Sequence, residues 1–168
     1  MFFCRGNQGV NYFKGVWHHP LLVLEKSQKF LVVDRQGDGS NLNEFFIKNI
    51  NLKIKPLSKS NFAPYGQVIE LKDAEKLIIN QGTTTRFNAL SSVDVATENG
   101  EPIISIFEGQ RRPDPIKLEV MERHPLGSQA FFPLSKYGWL VVVCKSNSSG
   151  DEPDLSTVEC FFAEAIKV

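Results

Sequence analysis

Cysteine is scarce in this 168-residue chain, and the three present, Cys4, Cys144 and Cys160, form an odd set with no CxxC spacing. That argues against a disulfide framework. Each lies in or beside an apolar run, where a thiol behaves as a small hydrophobe, as expected in a reducing cytoplasm. A surplus of either charge is also missing, with 19 Lys plus Arg against 19 Asp plus Glu. No basic run or interleaving of aromatic and basic residues suggests a nucleic-acid groove, so a small-molecule partner is expected. No apolar run approaches the roughly 18–20 residues needed to cross a bilayer. The opening MFFCRGNQ lacks the basic leader and longer apolar stretch of a signal peptide. A soluble cytoplasmic protein, with neither nucleic acid nor membrane as partner, is the expectation. The length suits a single domain, which buries about two-thirds of the surface its unfolded chain exposes.

What the chain does have is strand signals. FLVVDR (30–35), GQVIEL (66–71), PIISIF (102–107), IKLEVMERH (116–124), QAFFPL (129–134), WLVVVC (139–144) and VECFFA (158–163) are rich in β-branched and aromatic residues. Turn clusters QGDGSN, ENGEP, QRRPDP and NSSGDEPD separate them. Many short strands with Gly and Pro punctuation predict an all-β fold, an antiparallel sandwich or small barrel with few short helices. The best helix signal begins at Ser58, with Ser60 and Asn61 as competing caps, and stops before Gly66. Residues 41–51 read as a connector laid over the surface.

The polar residues with most chemical content lie in ERHPLGSQ (122–129). Strand alternation over 116–124 puts Ile116, Leu118, Val120, Glu122 and His124 on one face, so an apolar face turns polar at its end. A carboxylate and an imidazole facing a core cost several kcal/mol unless paired, hydrogen-bonded or metal-bound. On this segment alone the simpler account, a strand end emerging into water, comes first. All three histidines sit beside prolines: His18 and His19 in GVWHHPL, and His124. Pro20 and Pro125 hold the residue before each in extended geometry. Alternation sends the rings of His18 and His19 to opposite faces, so at most one faces inward and the other is structural or at an interface.

Glu122-x-His124-x-x-x-x-Gln129 resembles the first cupin motif, HxHxxxxE, with Glu and Gln exchanged at its outer positions. Gly15-x-x-His18 resembles the GxxH of the second motif, although that motif's proline and the first motif's glycine are not matched. A closer likeness runs over nearly the whole chain. NQGVNYFKGVWHHPL, FLVVDR, PLSKSNFAPYGQVIE, INQGTTTR, ISIF, ERHPLGSQAFFPL and EPDLSTV together resemble the ureidoglycolate lyase family, formerly called ureidoglycolate hydrolases.

That resemblance implies a cupin-like antiparallel β-barrel of jelly-roll type, a homodimer, and cleavage of ureidoglycolate to glyoxylate and urea in allantoin breakdown. It also implies a reordered chain. Residues 1–40 resemble the family's C-terminal part and 52–168 its N-terminal and central parts, joined through 41–51 as in a circular permutant, natural or engineered. The repeated Phe-Phe of residues 2–4 and 160–163 is then expected in one sheet region. Around the barrel mouth, Glu122, His124 and His18 are the candidate catalytic groups, and with Gln129 the candidate ligands of a divalent metal, nickel by resemblance. A metal-free site, with Glu122 and His124 moving protons directly, stays open. Arg86, in the family's NxGxxxR string with Asn80, is the choice for the substrate carboxylate. Ser105, Gln129 and Tyr12 complete the expected substrate contacts, with Asn11 and Tyr12 at the rim near His18. Phe87, Asn88 and the surroundings of Glu108 depart from the family pattern. Outward apolar strands and exposed tryptophans, Trp17 and Trp139, suggest pairing through a sheet. A silent cupin-like module that binds a small carboxylate, and a cupin oxygenase, are the competing readings.

Overall fold

No residue of WLVVVC is polar, and the structure, a computed structural model that describes residues 8–48 and 50–164, buries all six on two faces of one strand. Trp139, Val141 and Val143 point into one apolar cluster, and Leu140, Val142 and Cys144 into another. A strand covered on both sides has no need of polar alternation.

The described chain forms β1 (Gly9–Tyr12), β2 (Trp17–His18), β3 (Leu22–Val23), β4 (Gln28–Gln36), β5 (Asn43–Phe46), β6 (Ile54–Pro56), α1 (Lys59–Phe62), β7 (Gly66–Ile69), β8 (Glu75–Ile79) and β9 (Thr84–Asn88). It continues with β10 (Glu101–Gly109), β11 (Val120–Arg123), β12 (Gln129–Pro133), β13 (Trp139–Cys144) and β14 (Glu159–Ala163). Five strands make one sheet in the order β10-β4-β12-β1-β7. Seven make the second, β5-β11-β2-β13-β14-β6 with β3 also on β13, while β8 and β9 pair as a separate hairpin. All pairings are antiparallel except β14 with β6. The architecture is the all-β, barrel-like one expected, with short helices only. Ser58 caps α1 as anticipated, its hydroxyl accepting from the Asn61 N–H at 3.2 Å.

The interior between the sheets is filled by Val10, Phe30, Val32, Phe131, Trp139 and Phe161, among others. A second core lies on the outer face of the seven-stranded sheet. There Trp17, Leu22, Met121, Leu140 and Cys160 are covered by Ile47, Leu118 and the partly buried Phe45, Ile50, Leu52 and Leu155.

Several expectations are corrected here. Residues 41–51 are not a plain connector, because β5 lies within them and pairs with β11, and Ile47 enters the second core. The strand expected over 116–124 begins only at Val120, and Leu118 packs in the outer core while Glu122 faces the opposite way, so the inner face is not continuous. Trp17 and Trp139 are buried, not exposed: one lies in the second core, and the other donates its indole N–H to the Gln8 carbonyl at 3.1 Å inside the first. Residues 2–4 lie outside the described residues, and with them the expected neighbourhood of the two Phe-Phe strings. Exposed apolar side chains do occur on β10 and the β8–β9 hairpin, namely Ile78, Ile104 and Ile106.

Candidate active site

Gly15 turns the chain with φ of 79°, a left-handed conformation that disfavours any side chain, and its N–H donates to the His124 carbonyl at 2.9 Å. The turn thereby ties the GVWHHPL segment to ERHPLG, and β2 pairs with β11 so that His18 stands directly opposite Glu122. Opposed residues of an antiparallel pair share a face, so with Trp17 in the outer core both His18 and Glu122 point inward. His18 Nε2 lies 3.5 Å from Glu122 Oε1, an ion-pair distance. The Tyr12 ring stacks on the His18 imidazole at 4.0 Å and 11°, and the His124 ring lies 5.4 Å from it.

Each imidazole is oriented by a carbonyl behind it. His18 Nδ1 lies 3.0 Å from the Val16 oxygen, and His124 Nδ1 lies 2.7 Å from the Asn41 oxygen. With Nδ1–H donating in each case, Nε2 keeps its lone pair. Neither Nε2 has a hydrogen-bond partner, and the Gln129 Oε1 is likewise buried without one. Candidate ligand atoms of His18, Glu122 and His124 lie within 4.8 Å of one another. Gln129 stands opposite Tyr12 on β12 and donates through Nε2 to Asp34 Oδ2 at 2.8 Å, which leaves its oxygen free to accept. Buried acceptors without a donor cost about 1–3 kcal/mol each. A divalent cation held among His18, Glu122 and His124 would satisfy both imidazole nitrogens, and two imidazoles with a carboxylate suit a borderline ion. His18, Glu122 and His124 fit such an ion.

The electrostatics run the same way. Burial pushes the Glu122 carboxyl up, but contact with His18 and the nearby charges of His124 and His19 outweigh it and hold the group below its usual range. His124 is held below the ordinary imidazole range by burial and by His18, against the opposing pull of the Asn41 carbonyl, Asp34 and Glu122. A neutral ring is the ligating and proton-accepting form. Burial, with the Glu122 carboxylate adding to it, raises the Tyr12 phenol far above its ordinary value, so it stays protonated.

His18, not His19, faces the site. His19 is also buried, but its Nδ1 lies 2.9 Å from the Pro20 oxygen and its Nε2 accepts from the Glu119 N–H at 3.3 Å, which is a structural arrangement. Tyr12 is a buried platform and not a rim residue. Asn11 is buried on the other face of β1 and donates to Ser91 Oγ and the Ser92 carbonyl. Ser105 is half-buried on β10 opposite Val32. Arg86 and Asn80 lie on or beside the exposed β8–β9 hairpin, where Asn80 donates to Thr84. Neither lines the cavity of about 630 Å3 that Glu122 borders with Phe107, Phe131, Arg111 and Arg112.

Sequence reading missed Asp34, Asn41 and the two arginines. The inward alternation of Phe30 and Val32 points to Asp34 and was a usable signal. Asn41 carries none, because its role depends on a carbonyl brought in from a distant segment.

A sequence model of the family described as ureidoglycolate lyase matches residues 1–52 and 49–167. The chain belongs to the ureidoglycolate lyase family. The ureidoglycolate lyase of Burkholderia mallei (strain NCTC 10229) is 44% identical over 110 residues, 66% of this chain and 62% of that protein. Ureidoglycolate lyase 1 of Rhizobium meliloti (strain 1021) is 51% identical over 102 residues, 61% and 59% respectively. The ureidoglycolate lyase of Rhizobium etli (strain ATCC 51251 / DSM 11541 / JCM 21823 / NBRC 15573 / CFN 42) is 47% identical over 112 residues, 67% and 65%. The chain thus spans about three-fifths of the length of the family members it matches first. No solved structure matches it.

Proposed function

We propose that this chain is itself a ureidoglycolate lyase, splitting ureidoglycolate into glyoxylate and urea in the cytoplasm. The observation that carries the reading is the convergence of His18, Glu122 and His124, with both imidazole Nε2 atoms buried and without a hydrogen-bond partner. In this reaction the C2 hydroxyl loses its proton, its electrons form the aldehyde carbonyl, the C2–N bond breaks, and the urea nitrogen takes up a proton. No water is consumed. Glu122, kept ionised by the imidazoles facing it, is suited to take the hydroxyl proton. Glu122 then hands that proton to the departing urea nitrogen, which restores its carboxylate, and Tyr12 holds His18 in plane by stacking. His18, Glu122, His124 and Gln129 would hold a divalent ion, nickel by family resemblance, and such an ion lowers the pKa of a bound hydroxyl.

Two further parts belong to the same reading. The single cupin-like domain is a circularly permuted one, which the family's matching in two stretches, 1–52 and 49–167, supports. It acts as a homodimer, which the exposed Ile104 and Ile106 on the edge strand β10 support. Among the described residues, no helix is long and apolar enough to cross a membrane.

Purified protein supplied with ureidoglycolate should release glyoxylate, and His124→Ala should keep the circular dichroism spectrum of the wild type while losing turnover. Wild type that binds glyoxylate but forms none would make the chain a binding module instead.

A further inference from the structure

The cavity beside Glu122 contains a cation that nothing else in the described chain pairs. Two arginines line it, from the segment that follows β10. Arg111 is turned towards solvent and meets Asp114 Oδ2 at 3.4 Å. Arg112 is half-buried and makes neither an ion pair nor a side-chain hydrogen bond with the described residues. Its main chain is pinned, the N–H donating to the Val23 carbonyl at 2.9 Å next to the bridge between Val23 and Arg111. Arg112 is therefore anchored at the cavity wall through its main chain, with its side-chain donors uncommitted among the described residues.

We propose that Arg112 binds the substrate carboxylate in the cavity that Glu122 borders, and so decides which end of the molecule meets Glu122. The lyase reading supplies the identity of the substrate, while the assignment of the carboxylate site stands on the cavity. A guanidinium offers a planar fork that matches a carboxylate with two parallel N–H donors. In a two-carbon acid, a carboxylate gripped at Arg112 leaves only the C2 substituents, the hydroxyl and the ureido nitrogen, for the Glu122 end. The ligand class that follows is a small monocarboxylate with a polar α-substituent. Its uncharged amide leaves the fork without a charged partner and is rejected. Arg86, exposed on the hairpin and outside this cavity, is not needed for that contact.

The test uses the full chain, with glyoxylate and glyoxylamide as calorimetric probes beside the ureidoglycolate assay. Wild type should bind glyoxylate and discriminate against glyoxylamide. Arg112→Gln should weaken glyoxylate and raise KM roughly 10- to 100-fold, the range for losing a hydrogen-bonded charged partner, with a smaller change in kcat. Arg112→Lys should recover part of the loss, and Lys117→Gln, a cation outside the cavity, should stay within about two-fold by the weak worth of exposed charges. Unchanged glyoxylate affinity in Arg112→Gln, or a loss produced by Arg86→Gln in its place, overturns the assignment. If the wild type binds glyoxylate, Arg112→Gln does not, and neither turns over ureidoglycolate, the carboxylate site stands and the lyase reading falls. A wild type that neither binds glyoxylate nor forms it overturns both.

Discussion

His124 reaches back 83 residues to place its Nδ1 at 2.7 Å from the carbonyl oxygen of Asn41. The same asparagine accepts the Leu126 N–H through Oδ1 at 2.9 Å. One residue of the 41–51 segment thus orients a site imidazole and fixes the turn after it. That segment also supplies β5, whose register sets Glu44 opposite Glu122. The stretch is a structural part of the site.

Asn41→Ala should release the Leu126 N–H and let the carbonyl behind His124 drift. Loss of a group that orients a ligating or proton-moving histidine costs on the order of 10- to 100-fold in metal affinity or activity. Glyoxylate release should fall in that range while the melting temperature drops by only a few degrees, the shift about 1 kcal/mol produces in a domain of this size. Full activity in the variant would make the contact incidental.

Metal content separates the two site chemistries. Protein purified without chelator should retain a divalent ion by mass spectrometry of the dissolved metal, and prolonged chelation should abolish turnover until the ion is returned. His18→Ala and Gln129→Ala should retain less of it, since each removes one of the unpartnered buried acceptors. Undiminished turnover in fully chelated protein would leave Glu122 and His124 to move protons without an ion.

Met121 is fully buried in the outer core, between the seven-stranded sheet and the segments that cover it. Truncating such a side chain costs about 2–5 kcal/mol. Met121→Ala should therefore lower the urea midpoint clearly. Its side chain points away from Glu122, so KM for ureidoglycolate should hold as long as the variant is folded. A neutral effect on stability would mean that the outer cover is loosely packed.

Burial raises the Cys144 thiol to about 12, with the Asp154 carboxylate adding to it, and the Cys160 thiol to about 11. Both should resist thiol reagents at pH 8 in the native protein and react on unfolding, as peptide mapping can show. The sign of the pH effect follows. Between the unfolded value of about 9 and the native values, the unfolded chain holds fewer protons, so stability should fall as pH rises through that window. Rapid native labelling of either cysteine would contradict the burial.

Much of this fold was legible because alternation is local. WLVVVC coincides with β13, and FLVVDR lies wholly within β4, since a strand's own side chains report which faces are covered. What escaped were the shorter strands β1, β2, β3, β5, β6, β8 and β9, each five residues or fewer. A segment of that length has too few alternations to register and is extended because its neighbours supply the hydrogen bonds. The same cause hid the buried state of Trp17, whose cover comes from Phe45 at 74° edge-on geometry and not from adjacent residues.

The residue types of the site were determined by the sequence alone: the carboxylate, imidazoles and amide of Glu122, His124, His18 and Gln129, together with a β-rich chain to carry them. Their meeting was decided only in the tertiary structure. His18 and Glu122 face each other because β2 pairs with β11, a register fixed by burying Trp17 and Met121 on the far side of the same sheet. Shifting that register by one residue would turn every such side chain to the opposite face. The choice of His18 over His19, the hold of Asn41 on His124, and the placing of Arg112 instead of Arg86 at the cavity all depend on pairings between distant segments. Local periodicity carries no trace of them.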